Sequence, residues 1–287
     1  MPPPEDSPSS VLEGFAAAAH TSFRLRVLDR FERKYLQVRM GALRRHRLVS
    51  PTVTPDFLRS IDVSWCPVLR TTLTHGERVD TDWSVDRLNN HGAYAPGNIA
   101  VMSTRANAAK GALGYQEVRA RSTAAGPTNG LAPQQWLRMA CVMYGACHVD
   151  PAVRREWLPL ATVIPNQSTW PVEFALQDSL LRASATSRQK NQLARNLECF
   201  KRSQQHHNNL LRLLERLHYS AKDLRYRHDA LLDERIQREI LEWYMNVPPP
   251  LLGSLRRVLS DIHGGESLSR ERFRAWSTQT GGYLHPE

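Results

Sequence analysis

The stretch from Trp83 to Lys110 restricts the fold of this chain more than any other part of the sequence. Short apolar–polar alternation leads up to Asp86, which is typical of a β-strand. Residues 92–97 (Gly-Ala-Tyr-Ala-Pro-Gly) have turn chemistry, and a second short strand is predicted at Ile99–Met102. A helix that starts near Arg105 follows. The stretch therefore predicts two strands joined by a tight turn and followed directly by a helix.

This order resembles the ββα-metal core of the HNH nuclease superfamily, especially the branch written Ser-Leu-Asp-Arg-Ile-Asp…Gly-Tyr…Asn-Val…Asn-x-x-Lys. The residues that carry the likeness lie between Ser84 and Lys110, and include Tyr94 after the glycine turn. Together with helical periodicity beyond residue 128, the resemblance implies an α+β fold. It would have a small ββα-metal (HNH or treble-clef-like) core flanked by helices, with a mostly α-helical C-terminal region.

The resemblance also implies a metal site and its supporting residues. Asp86 and Asn107 match the positions that hold one divalent cation, Mg²⁺ in the first instance or Mn²⁺, and hard cations of this kind prefer oxygen ligands. Asn98 matches the asparagine that braces the loop between the strands. Lys110 lies one helical turn beyond Asn107, and with Arg105 it is expected to meet phosphate.

The position of the general base departs from the superfamily motif. Arg87 follows Asp86 where a histidine usually stands, and an arginine remains protonated, so it can bind phosphate or stabilise charge but cannot accept a proton. His91 in the following loop and His75 on the preceding hairpin are the candidate bases. For each of them a surface histidine in a loop is the alternative, and the sequence favours it.

Structural zinc is not expected in this core. Relatives often pin it with two Cys-x-x-Cys pairs, whereas Cys66-Pro67-Val68-Leu69 keeps only one cysteine, and a tetrahedral zinc needs four ligands. Packing must then stabilise the core, and we expect it to involve four side chains: Trp65, Val79, Trp83 and Val85. The two tryptophans could instead stack on nucleic-acid bases.

Charge and composition favour a polyanionic partner. The chain has 287 residues and a formal net charge of +10, and a positive surplus of this size attracts nucleic acid. A basic protein that binds a membrane surface is the competing interpretation. No apolar run is long enough to span a bilayer. The acidic, proline-rich start, Met1-Pro-Pro-Pro-Glu-Asp, does not resemble a secretory signal, and the four cysteines form no disulfide framework. A cytoplasmic location in a bacterial or phage-like setting is expected.

Composition shifts divide the chain into four predicted parts. These are a disordered leader at 1–20, an N-terminal helical segment at 21–59, the HNH-like core at 60–115 and an α-helical C-terminal domain at 128–287. Helix starts are predicted at Thr21 and Thr54, and before Arg105 at Ser103 or Thr104. β-Structure is predicted over Val68–Val85. The helices predicted further on are Pro133–Tyr144, Pro171–Ala183, one long segment at about Gln189–Met245, Leu251–Ile262 and Ser269–Trp276.

Three functions remain open from the sequence. The first is a metal-dependent endonuclease that hydrolyses phosphodiester bonds in DNA. The second is a DNA-binding protein that keeps the HNH scaffold but has lost catalysis, which Arg87 at the base position favours. The third is a helical interaction protein in which the motif is a chance likeness. Sequence specificity, DNA against RNA, nicking against double-strand cleavage and oligomeric state are not determined by these residues.

Overall fold

Helices make up most of the described chain, and one small antiparallel sheet lies among them, so the fold is α+β. The structure is a computed structural model that describes residues 9–19, 27–147, 156–164 and 171–263. The helices are α1 (Ser9–Ala19), α2 (Arg30–Arg44), α3 (Pro55–Ser60), α4 (Thr104–Lys110), α5 (Tyr115–Arg121), α6 (Pro133–Cys147), α7 (Val172–Ala183), α8 (Ser187–Asn196), α9 (Gln204–Ala221), α10 (Glu234–Met245) and α11 (Leu252–His263). The strands are β1 (Trp83–Arg87) and β2 (Ile99–Ser103). Within these ranges, none of the helices has the length and apolar character needed to cross a bilayer.

The N-terminal region differs from the prediction in two places. Residues 9–19 form helix α1, so a disordered leader reaching residue 20 is wrong for that stretch. Helix α2 begins at Arg30 and not at Thr21, because Asp29 and Glu32 form a capping box that satisfies the first backbone N–H groups. The predicted cap at Thr54 is confirmed, since its hydroxyl accepts the N–H of Phe57.

Strands β1 and β2 pair antiparallel, with Asp86 opposite Ala100. The expected strand at 99–102 is confirmed, and the Ser103 hydroxyl caps α4 by accepting the N–H of Ala106. Gly111 ends α4 with φ +49°, a backbone conformation that glycine adopts without strain. Residues 68–82, by contrast, contain only isolated bridges such as Thr74 to Asp82, so extended β-structure there is wrong.

Polar caps interrupt the long helical segment predicted at 189–245. Ser203 caps α9 and Asp233 caps α10, and each side chain accepts backbone N–H groups that would otherwise lie inside a continuous helix. The chain between them forms a 3₁₀ turn at 227–232. Ser269–Trp276 falls outside the described residues.

One hydrophobic cluster joins the sheet to the helices on both sides of it. Trp83 and Val85 are buried in it as expected, whereas Trp65 and Val79 are 50% and 45% exposed, so their assignment to the core is wrong. Polar contacts also link the core region to the C-terminal helices. Arg70 forms a bidentate pair with Asp229, with distances of 2.7 and 2.6 Å from its two terminal nitrogens to the carboxylate oxygens.

Candidate functional site

A cleft of about 450 Å³ opens where β1, α4 and the C-terminal end of α2 meet. Asp86 and Asn107, the two residues expected to share a cation, both line this cleft, which we call the Asp86 cleft. The other lining residues are Lys34, Gln37, Val38, Arg45, Arg47, Ser84, Val85, Arg87, Asn90, Tyr94, Gly111 and Ala112. Four of these side chains are cationic and Asp86 is the only carboxylate among them, so the cleft attracts anions.

Asp86 is almost fully buried and pairs with a lysine beneath it. Its Oδ2 lies 3.0 Å from Lys110 Nζ, and 8% of the residue is exposed. Burial raises the pKa of the Asp86 carboxyl above its ordinary value, while the Lys110 charge acts in the opposite direction. The contact is an ion pair without good hydrogen-bond geometry, because Oδ2 has no hydrogen-bond partner.

Lys110 supports the site from within and does not face phosphate. Its side chain has no exposed surface, and Nζ donates to the Arg87 carbonyl at 2.8 Å and to Asn90 Oδ1 at 3.2 Å besides pairing with Asp86. The expected phosphate contact is thus wrong, since the last turn of α4 points this ammonium into the sheet and not towards solvent. Lys110 instead ties α4 to β1 and to the loop that follows it.

Asn107 lies in the middle of α4, half-buried at the wall of the cleft. Its Nδ2 donates to Ser84 Oγ at 2.7 Å, which joins α4 to the start of β1. That bond uses the amide nitrogen and leaves the amide oxygen as the atom that can bind a cation. The sequence placed Ser84 at the start of the motif but gave it no role at the site.

Asn98 holds the loop between the strands through its fully buried side chain. Its Oδ1 accepts the N–H of Asn89 at 2.8 Å, and its Nδ2 donates to the carbonyls of Asn89 and Ala93 at 3.0 and 2.8 Å. Three backbone groups of a tight loop are satisfied in this way. The loop consequently keeps Asn90 and Tyr94 at the edge of the Asp86 cleft.

Arg87 lines the cleft and is anchored by the same loop. Its Nη1 donates to the carbonyls of Asn90 and Gly92, both at 2.9 Å, and its guanidinium lies 5.3 Å from the centre of the Tyr94 ring. Burial lowers the pKa of Arg87, but a guanidinium with so high an intrinsic pKa keeps its charge at neutral pH. Arg87 thus contributes a positioned positive charge and no proton acceptor.

Helix α2 and the residues directly after it supply three cations that the motif does not contain. Lys34 donates to the Trp83 carbonyl at 3.1 Å, and Arg45 Nη2 donates to the Tyr94 hydroxyl at 2.8 Å. Arg47 lines the cleft beside them. In the sequence, Arg45 and Arg47 belong to a basic cluster at 44–47, which is compatible with either a solvated helix end or phosphate contact. Tertiary packing brings Arg45 and Arg47 of this cluster to the cleft.

The remaining predicted residues lie outside this cleft. His91 is exposed in the loop, and His75 lines a neighbouring cleft, where its Nδ1 is buried without a hydrogen-bond partner. Neither histidine is therefore positioned as a base beside Asp86. Arg105 is exposed on α4, and its Nη2 donates to the Gly130 carbonyl at 2.7 Å. Arg105 does not line the Asp86 cleft, so a phosphate contact by this residue would lie outside that cleft.

The donor set of the cleft fits a hard divalent cation that is held jointly with phosphate. A carboxylate and an amide oxygen are suitable ligands for Mg²⁺, which often binds through one or two carboxylates together with substrate phosphates and water. Among the described residues no three His, Cys, Asp or Glu side chains form a metal-binding group. Lys110 already balances the Asp86 charge, which disfavours tight cation binding in the absence of phosphate.

Comparisons with protein-family models, with curated proteins and with solved structures gave no match for this chain.

Proposed function

We propose that this chain is a metal-dependent endonuclease of the HNH type that hydrolyses phosphodiester bonds in DNA. The observation that carries the proposal is that Asp86 and Asn107 line the same cleft at a strand–strand–helix junction. The four cations in the wall of that cleft support a phosphate-bearing substrate. The likeness to the HNH motif supplies the reaction class.

Each part of the cleft has a chemical role in this proposal. Asp86 and the amide oxygen of Asn107 would hold the cation, which polarises the scissile phosphate and neutralises charge on the leaving oxygen when it is bound. Lys110 keeps the Asp86 carboxylate ionised and oriented, and Ser84 fixes the Asn107 amide. Arg87 stabilises negative charge that grows on the phosphate during the reaction.

The cations of α2 and of the residues directly after it hold the DNA against the cleft. Arg45 and Arg47 are placed to contact phosphates beside the scissile one, and Lys34 also lines the cleft. These contacts position the backbone and carry no sequence information. Histidine is not among the described lining residues, so the proton of the attacking water is assigned to no side chain.

The lack of a lining histidine favours a second candidate, a DNA-binding protein that keeps the scaffold without catalysis. The Lys110 ion pair points the same way, because it stabilises Asp86 in the absence of any metal. Both candidates predict salt-sensitive DNA binding at the Asp86 cleft. They differ only in metal-dependent cleavage.

Cleavage of supercoiled plasmid in Mg²⁺ or Mn²⁺ separates the two candidates. The proposal expects nicked or linear product from the unaltered protein, and a rate at least about 10–100-fold lower for Asn107→Ala, the cost usual when even a supporting partner of a metal ligand is lost. Asp86→Asn should lose cleavage as well. Arg238→Ala, an exposed change on α10, is the control.

Circular dichroism of each variant separates loss of chemistry from loss of fold. Asn107 is the more informative position, because its side chain is half-buried and bonds only to Ser84. Cleavage that survives both Asp86→Asn and Asn107→Ala would refute the site. Metal-independent binding with no cleavage by the unaltered protein would establish the binding candidate instead.

A further inference from the structure

A second cleft adjoins the Asp86 cleft along the same face of α2. It has a volume of about 410 Å³, and it shares the lining residues Lys34, Gln37 and Ser84 with the Asp86 cleft. We call it the His75 cleft. Its full lining is Arg30, Arg33, Lys34, Gln37, His75, Gly76, Arg78, Asp82, Trp83, Ser84 and Thr104.

The sequence of α2 explains why one helix can form the wall of both clefts. Residues 30, 34, 37 and 41 recur at helical spacing and are followed by Arg45, so they make one stripe. Phe31, Val38 and Ala42 are the buried residues of α2 and anchor the adjacent face of the helix in the core. From Arg30 to Arg44 the helix extends about 21 Å at 1.5 Å per residue.

The His75 cleft carries a surplus of positive charge that its own carboxylate does not cancel. The Asp82 carboxylate already accepts three hydrogen bonds, from the Thr74 hydroxyl at 2.7 Å and from the N–H groups of Glu77 and Arg78 at 3.2 and 2.7 Å. Four cationic side chains line the cleft: Arg30, Arg33, Lys34 and Arg78. An anionic ligand is therefore favoured there.

Two of those cations are available to a ligand. Arg33 and Arg78 are exposed, and neither side chain has a hydrogen bond or an ion pair to the described residues. Arg30, by contrast, is paired with Asp62 at 2.6 Å, and Lys34 donates to the Trp83 carbonyl. Arg33 and Arg78 belong to different elements, α2 and the loop that contains His75, so a phosphate that contacted both would be held by two separate parts of the chain.

We propose that the His75 cleft binds the phosphate backbone of the DNA strand whose scissile phosphate lies in the Asp86 cleft. The inference rests on the proposed function, because it assigns the substrate's path away from that site. A B-form strand rises about 3.4 Å per nucleotide, so α2 spans about six nucleotide steps. Phosphates held by Arg33 and Arg78 would then fix which bond of the strand reaches Asp86.

Salt-dependent binding of a labelled DNA duplex, measured by fluorescence anisotropy in EDTA, tests the inference without any cleavage. The double variant Arg33→Ala/Arg78→Ala should bind more weakly than the unaltered protein. The slope of log K against log salt should fall by about 1.8, which is about 0.9 for each of two phosphate contacts. Arg238→Ala/Arg256→Ala removes the same charge from exposed positions on α10 and α11 and should leave the slope unchanged.

The outcomes distinguish failure of the inference from failure of the proposed function. If the variant and its control lose affinity equally, or if neither loses any, the His75 cleft is not part of the DNA path, whatever the plasmid assay shows. A smaller slope of log K against log salt in Arg33→Ala/Arg78→Ala but not in its control supports DNA binding at the His75 cleft, even if the unaltered protein does not cleave DNA. If the unaltered protein cleaves DNA, an end-labelled duplex should be cut at a wider range of positions by Arg33→Ala/Arg78→Ala than by its control. An unchanged cleavage pattern would show that these two arginines do not determine which bond reaches Asp86.

Discussion

Replacement of Lys110 by methionine tests the buried contact on which the candidate site depends. Methionine keeps an unbranched chain of similar size but removes the ammonium, which lies 3.0 Å from Asp86 Oδ2. The Asp86 carboxylate would then stay buried without the positive charge that now pairs with it. The carbonyl of Arg87, which Nζ now reaches at 2.8 Å, would lose that donor as well.

The expected cost follows from burial and distance. At an effective dielectric constant of 20, two unit charges about 3 Å apart attract by about 5.5 kcal/mol, and removal of one partner of a buried pair usually costs about 3–5 kcal/mol. Lys110 has no exposed surface, so solvent screening does not reduce this figure. We therefore expect Lys110→Met to lower the free energy of unfolding by about 3–5 kcal/mol, a large share of the ~5–15 kcal/mol typical of a folded protein.

Urea unfolding followed by tryptophan fluorescence measures this cost. Four proteins complete a double-mutant cycle: the unaltered chain, Lys110→Met, Asp86→Asn and the double variant. The double variant should be more stable than the sum of the single losses predicts, by about 2 kcal/mol or more, because no charge is left unpaired in it. Lys190→Met on α8 controls for the loss of a lysine. A loss of less than about 1 kcal/mol in Lys110→Met, or a coupling energy near zero, would refute the reasoning.

Three further results are expected. Asn98→Ala should lower the free energy of unfolding in urea by about 2–4 kcal/mol, because three buried backbone groups lose their partner, and a loss below about 1 kcal/mol contradicts that role. Burial lowers the pKa of His206, and its Nδ1 accepts the N–H of Arg202, which requires a neutral ring nitrogen. The free energy of unfolding should therefore be highest above the unfolded-state pKa of about 6.5 and should fall as the pH drops from there towards the lower folded-state pKa. This pH dependence should be the same in His207→Gln as in the unaltered chain, and smaller in His206→Gln. Gly41→Ala should raise the free energy of unfolding in urea by up to about 1 kcal/mol, because alanine has the higher helix propensity. The new Cβ would lie 3.2 Å from Arg45 Nη2 and displace that side chain, so DNA affinity measured by anisotropy should fall. Unchanged affinity would count against Arg45 as a phosphate contact.

Local chemistry made the order of elements around the candidate site predictable. The strand at 99–102 follows from local apolar residues and turn chemistry, and the caps at Thr54 and Ser103 follow from hydroxyls that accept backbone N–H groups within a few residues. The same argument failed at 68–82, where β-propensity was high but the structure contains only isolated bridges. Pairing requires a partner strand, and propensity does not supply one.

Long helices were easier to predict than their ends. Apolar periodicity located α6 and α7 to within a few residues, whereas the segment at 189–245 divided where Ser203 and Asp233 compete for backbone N–H groups. Exposure of Trp65 was not predictable either. A tryptophan contributes to a core only if neighbouring elements cover it, and at this position none does so fully.

The sequence by itself determined the strand–turn–strand–helix unit and the polar residues it carries, because turns, caps and apolar alternation act over short distances along the chain. Only the tertiary structure decided what those residues face. It turned Lys110 inward to pair with Asp86, kept His75 and His91 out of the Asp86 cleft, and brought Arg45, at the C-terminal end of α2, to its edge. Charge, burial and access depend on residues that are distant in sequence, so they arise only when the packed elements meet.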